Sequence, residues 1–328
     1  MSNILLTTSC NKNCPYCFAA KTRNETKNSP DMDFSLFKEI IDKHQKDDDI
    51  KFLGGEPTIY PFFKESIEYC IEKNINHVSV ISNFLFNDDI LDFLVRTLNE
   101  NKISIGFLLN STDLDVADRF DVFTKNYFAI KKATNQNHND DLTCGITLDF
   151  NKTKNYYEEY LDKFISTTKI KHLRLSIPHP GDDHVKNTFD FIDNKKYGQL
   201  VIDVSNICLC HGVEINFDCI LFPCMFSDSD LEYLIQFSNT LRFSCNKNLG
   251  CPSDFFPDGS VSYCYPCERI KIQQEKIKTA RHISNVLSYK YSMYQLSVDF
   301  PDKCLNCKHF MKICDGPCLG YFDFKTEL

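Results

Sequence analysis

The sequence predicts an α/β protein, a partial (β/α)6 TIM-like barrel followed by a cysteine-rich C-terminal domain. Three observations carry this reading. Short apolar segments alternate with segments of helical periodicity six times over residues 3–180. The alternation stops after Pro180. Fifteen of the 17 cysteines fall in groups, at 10–17, 208–224, 245–267 and 304–318. Six strand–helix units imply a parallel sheet with right-handed crossovers, and eight would be needed to close it. In such sheets the chemistry sits in the loops after the strands' C-terminal ends.

The elements follow in order. "NILLTTS" (3–9) is an apolar run of strand length. "DFSLFKEIIDKHQK" (33–46) sets Phe34, Leu36, Phe37, Ile40 and Ile41 at helical spacing behind Asp33, a suitable N-cap. "DIKFLGG" (49–55) is a strand, and 61–74 a helix with Pro61 in its first turn. Residues 77–84 form a strand and 87–100 a helix; 102–110 and 142–150 are strands with a helical stretch between them. A helix at 155–168 leads to the sixth strand, 172–180. The barrel is therefore placed at 1–182, a bridging helix and β segment at 183–240, and the cysteine-rich domain at 241–328. Segments 214–224 and 254–264 share an Asp-[Cys/Gly]-x4-Cys pattern. The second reads as a hairpin, because Asp258-Gly259 suits a tight turn; the first has Cys219 where a turn wants glycine.

Composition narrows the function. Apolar content of 42% and charged content of 25% are those of a soluble globular protein. A net charge of −8 with scattered basic residues argues against a nucleic-acid substrate. No apolar run is long enough to span a membrane, and no signal peptide precedes Leu5, so a cytoplasmic protein is expected. In such a reducing compartment clustered cysteines bind metal or do chemistry rather than form disulfides. Cys70 and Cys144 stand alone and read as small core residues.

Cys10-x3-Cys14-x2-Cys17 begins directly after the first strand, on the active rim. Three thiolates can hold three irons of a [4Fe–4S] cluster and leave the fourth open. A structural zinc would close four ligands instead. "FLGGEP" (52–57) follows the second strand on the same rim. Gly54 and Gly55 let backbone approach a ligand, and Glu56 offers a carboxylate to an ammonium group. The competing reading is a glycine turn ahead of a helix near Pro57. Ser82-Asn83 and Asn110-Ser111 end the third and fourth strands, where small polar residues serve a ligand or merely a turn. Arg119, Arg174 and Ser176 are further polar candidates.

The triplet with Tyr16 before its last cysteine, followed by Gly54-Gly55-Glu56-Pro57, resembles the radical S-adenosylmethionine (SAM) superfamily, and the resemblance covers the whole chain. It implies a [4Fe–4S] cluster on Cys10, Cys14 and Cys17, with SAM on the open iron. It also implies a SAM site drawn from Tyr16, Gly54, Gly55, Glu56, Asn83 and Ser111. The later cysteines are similar to the SPASM/twitch auxiliary-cluster domain. That likeness assigns Cys245, Cys251, Cys264 and Cys318 to one iron–sulfur cluster, and Cys304, Cys307 and Cys314 to a second. The Cys307-x6-Cys314 spacing is one residue longer than usual, and no cysteine follows Cys318 in this sequence to complete the second set. Three readings stand: Cys219, Cys224 or Cys267 substitutes, which is favoured; the second cluster keeps an open iron; or only one auxiliary cluster exists. Cys219 is also a candidate thiol hydrogen donor, while Cys208 and Cys210 carry no assigned role.

The resemblance implies a maturase of a ribosomally made peptide (crosslink, epimerisation or oxidation), with a flavodoxin or ferredoxin as reductant. Since the first strand starts by residue 4, leader recognition would fall to the barrel mouth or a separate protein. The enzymatic alternative is a dehydrogenase or epimerase of an aminosugar or cyclitol. The alternative of another class is a non-enzymatic iron–sulfur or zinc protein, which would have no need of Gly54-Gly55-Glu56.

Overall fold

The structure, a computed structural model, describes residues 2–115, 118–135, 142–178, 194–218, 220–245, 253–267, 270–274 and 279–322. Seven strands lie side by side in chain order: β1 (Ser2–Thr7), β2 (Ile50–Gly54), β3 (His77–Ser82), β4 (Ser104–Asn110), β5 (Leu142–Thr147), β6 (His172–Ser176) and β7 (Glu214–Phe217). Each pairs in parallel with the next, which makes a partial barrel one strand larger than expected. The seventh comes from the segment expected to bridge two domains, so the sheet continues past residue 182. The helix expected at 183–207 is seen as Lys195–Cys210; residues 179–193 lie outside the described residues.

The sheet also grows at its other edge. β8 (Ser253–Phe255) pairs in parallel with β1, and β9 (Ser260–Ser262) and β10 (Lys271–Gln273) follow antiparallel. The β8–β9 hairpin turns at Asp258-Gly259 as expected. Gly259 has φ +77°, and Ser260 N donates to Asp258 Oδ1 at 2.9 Å. In the similar segment 214–224, whose residue 219 lies outside the described residues, β7 is followed by a short 3-10 turn, Pro223–Met225. The C-terminal segment is thus sewn onto β1, the strand that feeds the cysteine triplet.

The outer helices are α1 (Ala20–Glu25), α2 (Phe34–Ile41), α3 (Phe63–Glu72), α4 (Asp88–Glu100), α5 (Arg119–Asn135), α6 (Lys154–Thr168) and α7 (Lys195–Cys210). α1, directly after the triplet, was not expected. Asp33 caps α2 as read, its carboxylate accepting from Ser35 N at 2.7 Å. Asn87 caps α4 in the same way through Ile90 N at 3.0 Å. Helix meets sheet through the aromatic edge of Phe37 on Phe52 (5.6 Å), and Phe84, in the loop after β3, packs on Phe107 of β4 (5.4 Å). Each fully buried side chain of this kind contributes about 1.5–3 kcal/mol. Cys70 and Cys144 lie in that core, as expected, and burial pushes both thiols up to about 12. Cys208 is buried in the same way, with its thiol also pushed up to about 12. Among the described residues no helix is long and apolar enough to cross a membrane.

Candidate active site

β1 ends at Thr7, and the chain enters the triplet loop against the end of β2. Gly55 N donates to Thr7 O and Glu56 N to Ser9 O, both at 2.8 Å. Only glycine fits there. A Cβ on Gly55 would stand 2.0 Å from Ser9 O. Gly54, at φ +145°, would bring one to 2.1 Å from Thr7 O. The sequence reading had these glycines admitting a ligand. What the geometry displays is the β2 loop pressed backbone-to-backbone onto the root of the triplet loop. The two sequence motifs are parts of one interlock.

Glu56 is 1% exposed. Its Oε1 accepts from Thr58 N (3.2 Å), Thr58 Oγ1 (2.6 Å) and Ser82 Oγ (2.8 Å), and its Oε2 from Asn83 N (2.8 Å). Burial raises its pKa against these four hydrogen bonds. Most of this carboxylate therefore braces the end of β3, and only Oε2, with its single described donor, has a lone pair to spare for an ammonium group. Ser82 is thereby committed to the protein.

Asn83 is engaged within the protein. Its amide donates to Asn11 Oδ1 (2.7 Å) and accepts from Leu85 N (2.9 Å), while Asn11 donates to Leu85 O (2.9 Å). The side chain lashes β3's end to the triplet loop. Ser111 is fully buried, and its amide and hydroxyl both donate to Gly145 O at 2.9 and 3.0 Å. Ser176 shares a hydrogen bond with Thr147 (2.9 Å) and Arg174 pairs with Asp218 (3.7 Å). Asn110 accepts from Thr112 N at 3.3 Å. Arg119 is half-buried and opens α5.

Sequence reasoning missed two residues. Lys12, inside the triplet, is 4% exposed and donates its ammonium to Thr112 O. Asp113 accepts from the Tyr16 hydroxyl at 3.2 Å. Both contacts tie the triplet loop to the loop after β4. Strand-end reasoning stopped at Ser111 when Thr112 and Asp113 also lay on the rim. A lysine between two candidate ligand cysteines, so close to an expected anionic cluster, was the unused signal.

Cys10, Cys14 and Cys17 are half-buried in this loop. Burial pushes the Cys10 thiol up to about 11, against the Lys12 amide and helped by the charge of Glu56. Burial raises Cys17 as well. Buried thiols held protonated are poor nucleophiles, whereas a bound metal deprotonates its thiol outright. Three thiols of this kind fit a thiolate-bound metal or cluster, iron–sulfur included. No three His, Cys, Asp or Glu among the described residues close around a point as a single ion would need.

The C-terminal segment touches this site. Phe18 meets Tyr265 edge-on at 4.7 Å, and Tyr265 meets Phe256 at 5.4 Å. With Leu5, Ala19 and Leu53 they form a small apolar cluster beside Cys17. Tyr265 is flanked in sequence by Cys264. Cys267 is fully buried, and its pKa is raised by hydrogen bonding to Cys264 and Cys318 and then by burial. The Tyr291 phenol is raised by burial first and then by the charges of Cys245, Cys267, Cys318 and Cys264. Cys267 is an addition to the expected set, while Cys251 and Cys219 lie outside the described residues. Cys304, Cys307 and Cys314 are half-buried within one run of turns.

Residues 4–192 match the family model described as the radical SAM superfamily. The chain belongs to the radical SAM superfamily. Its fold is similar to that of anSMEcpe with bound AdoMet, at TM-score 0.64 and 18% identity over 97% of this chain and 89% of that one. It is similar as well to Streptococcus suis SuiB bound to S-adenosylmethionine, at TM-score 0.62 and 16% identity over 97% of this chain and 72% of SuiB. An uncharacterised protein of Methanocaldococcus jannaschii is 29% identical over 125 residues, 35% of this chain. The aligned part spans 41% of the length of that curated relative.

Proposed function

We propose that this radical SAM protein cleaves SAM reductively and directs the resulting radical at a C–H bond of a ribosomally made peptide. The observation that carries the first part is the interlock of Gly54-Gly55-Glu56 with Thr7 and Ser9, which fixes the triplet loop at the sheet's C-terminal rim. When bound, a reduced [4Fe–4S] cluster supplies the electron that splits SAM into methionine and a 5′-deoxyadenosyl radical. The chain's own residues do the rest. Cys10, Cys14 and Cys17 would hold three irons, and Lys12, Asn11 and Tyr16 pin the loop to the neighbouring rim loops. Phe18, Phe256 and Tyr265 exclude water on one flank. Tyr16, Gly55 and Glu56 remain the residues for SAM, with Glu56 acting through Oε2.

The peptide reading is supported by the likeness to SuiB. A structure of SuiB bound to precursor peptide SuiA matches 97% of this chain at TM-score 0.62. A flavodoxin or ferredoxin would supply the electrons.

The test is anaerobic reconstitution followed by reduction with SAM. The intact chain should release 5′-deoxyadenosine, and C10A/C14A/C17A should fall to background while keeping any C-terminal iron. Release by the triple variant would end the reading. Mass spectrometry of candidate precursor peptides and of small polyols then decides the substrate. Consumption of a polyol with every peptide unchanged would remove the peptide part alone.

A further inference from the structure

We propose that Cys224 is the fourth ligand of an iron–sulfur cluster held by Cys304, Cys307 and Cys314, and that Asn194 donates a hydrogen bond to its sulfur. The inference rests on reading the C-terminal cysteines as iron ligands, and its test is independent of SAM cleavage.

The sequence leaves the second set one ligand short, and Cys318 is engaged with Cys267 in the other group. Cys224 sits in the Pro223–Met225 turn after β7, nearly eighty residues upstream of Cys304. Two contacts dock that turn onto the C-terminal run. Lys308, next to Cys307, bonds both carboxylate oxygens of Asp228 at 2.6 Å. Phe222 meets Tyr321 edge-on at 6.4 Å. Cys224 is half-buried, as are Cys304, Cys307 and Cys314.

A second, independent observation points at the Cys224 sulfur. Asn194 is fully buried, and its Nδ2 donates to Cys224 Sγ at 2.9 Å. Its Oδ1 has no partner among the described residues. Gly198 makes this approach possible, because a Cβ there would lie 1.9 Å from Met225 O. A neutral thiol is a weak acceptor, and spending a buried amide on it recovers little of the amide's desolvation. A thiolate ligand is a charged acceptor, and bonds to charged groups are roughly twice as strong. With four thiolates the cluster has no open iron, so it carries electrons rather than binding substrate. Hydrogen bonds to ligand sulfur are among the features that set cluster potential.

The test uses the full chain with C10A/C14A/C17A, reconstituted anaerobically, so that iron at the triplet is not counted. Adding C224A should cost one cluster's iron, or convert one cluster to a [3Fe–4S] species seen by electron paramagnetic resonance. C224S, which keeps an oxygen donor, should retain more iron, and circular dichroism confirms that both variants fold. N194L should keep the iron but lower the midpoint potential of one cluster. Unchanged iron and spectra in C224A would overturn the ligand assignment. So would zinc as the sole metal, or a parent with no C-terminal iron. An unchanged potential in N194L would overturn the role of Asn194. Failure of the intact chain to release 5′-deoxyadenosine, with these results as expected, would count against the proposed activity and leave this assignment standing.

Discussion

Gly55→Ala should empty the triplet of iron while leaving any C-terminal iron in place. The added methyl would lie 2.0 Å from Ser9 O, a backbone atom that no side-chain rotation can relieve. The two loops must separate, which breaks Gly55 N–Thr7 O and Glu56 N–Ser9 O. Overpacking of a tight site costs about 1–3 kcal/mol. Each lost hydrogen bond adds roughly 1 kcal/mol. The strain falls on the root of the triplet loop, so Cys10 moves before anything in the core does. A glycine needed only for ligand access predicts another result: G55A would load iron normally and fail at SAM binding. Iron content and Mössbauer spectra of G55A, set beside C10A/C14A/C17A, separate the two. A normal triplet cluster in G55A would show that the interlock does not position the site.

The sequence made the barrel legible because its strands are short apolar runs bounded by capped helices, and both signals are local. Asp33 and Asp258-Gly259 carried their own geometry in the same way. β7 and the β1–β8 pairing were not legible, since four- and three-residue strands leave almost no periodicity, and β8 pairs with a strand 251 residues away. In the site, the thiol triplet and the glycine pair could be read from spacing. Ser111 could not. A serine at a strand end looks the same in sequence whether its hydroxyl faces a ligand or, as here, Gly145 O. Lys12 and Asp113 were overlooked because their importance comes from crossing between loops.

The seam that joins the C-terminal segment to the barrel should weaken as pH rises toward neutrality. Asp254 on β8 faces Asn3 on β1 in register and is 3% exposed. Burial raises its carboxyl to about 7, although Asn3 Nδ2 at 2.7 Å and the Tyr265 amide both favour the anion. An exposed aspartate titrates near 3.8. Between those values the folded chain holds a proton that the opened chain has released, so stability falls with rising pH. The contribution is whole below about 4, declines across the interval and is gone above about 7. A shift of that size corresponds to roughly 4 kcal/mol where opening fully exposes the carboxyl. The consequence reaches the candidate active site, because Phe256 and Tyr265 follow Asp254, and Tyr265, packed on Phe256, meets Phe18 beside Cys17. Native-state hydrogen exchange, corrected for the intrinsic pH dependence of amide exchange, should show protection of β8 amides falling from pH 5 to pH 8, values that straddle about 7. Asp254→Asn cannot ionise and should flatten that slope, at a cost of about 1 kcal/mol for turning one amide N–H toward a donor. An equal slope in D254N and the parent would place the titrating group elsewhere.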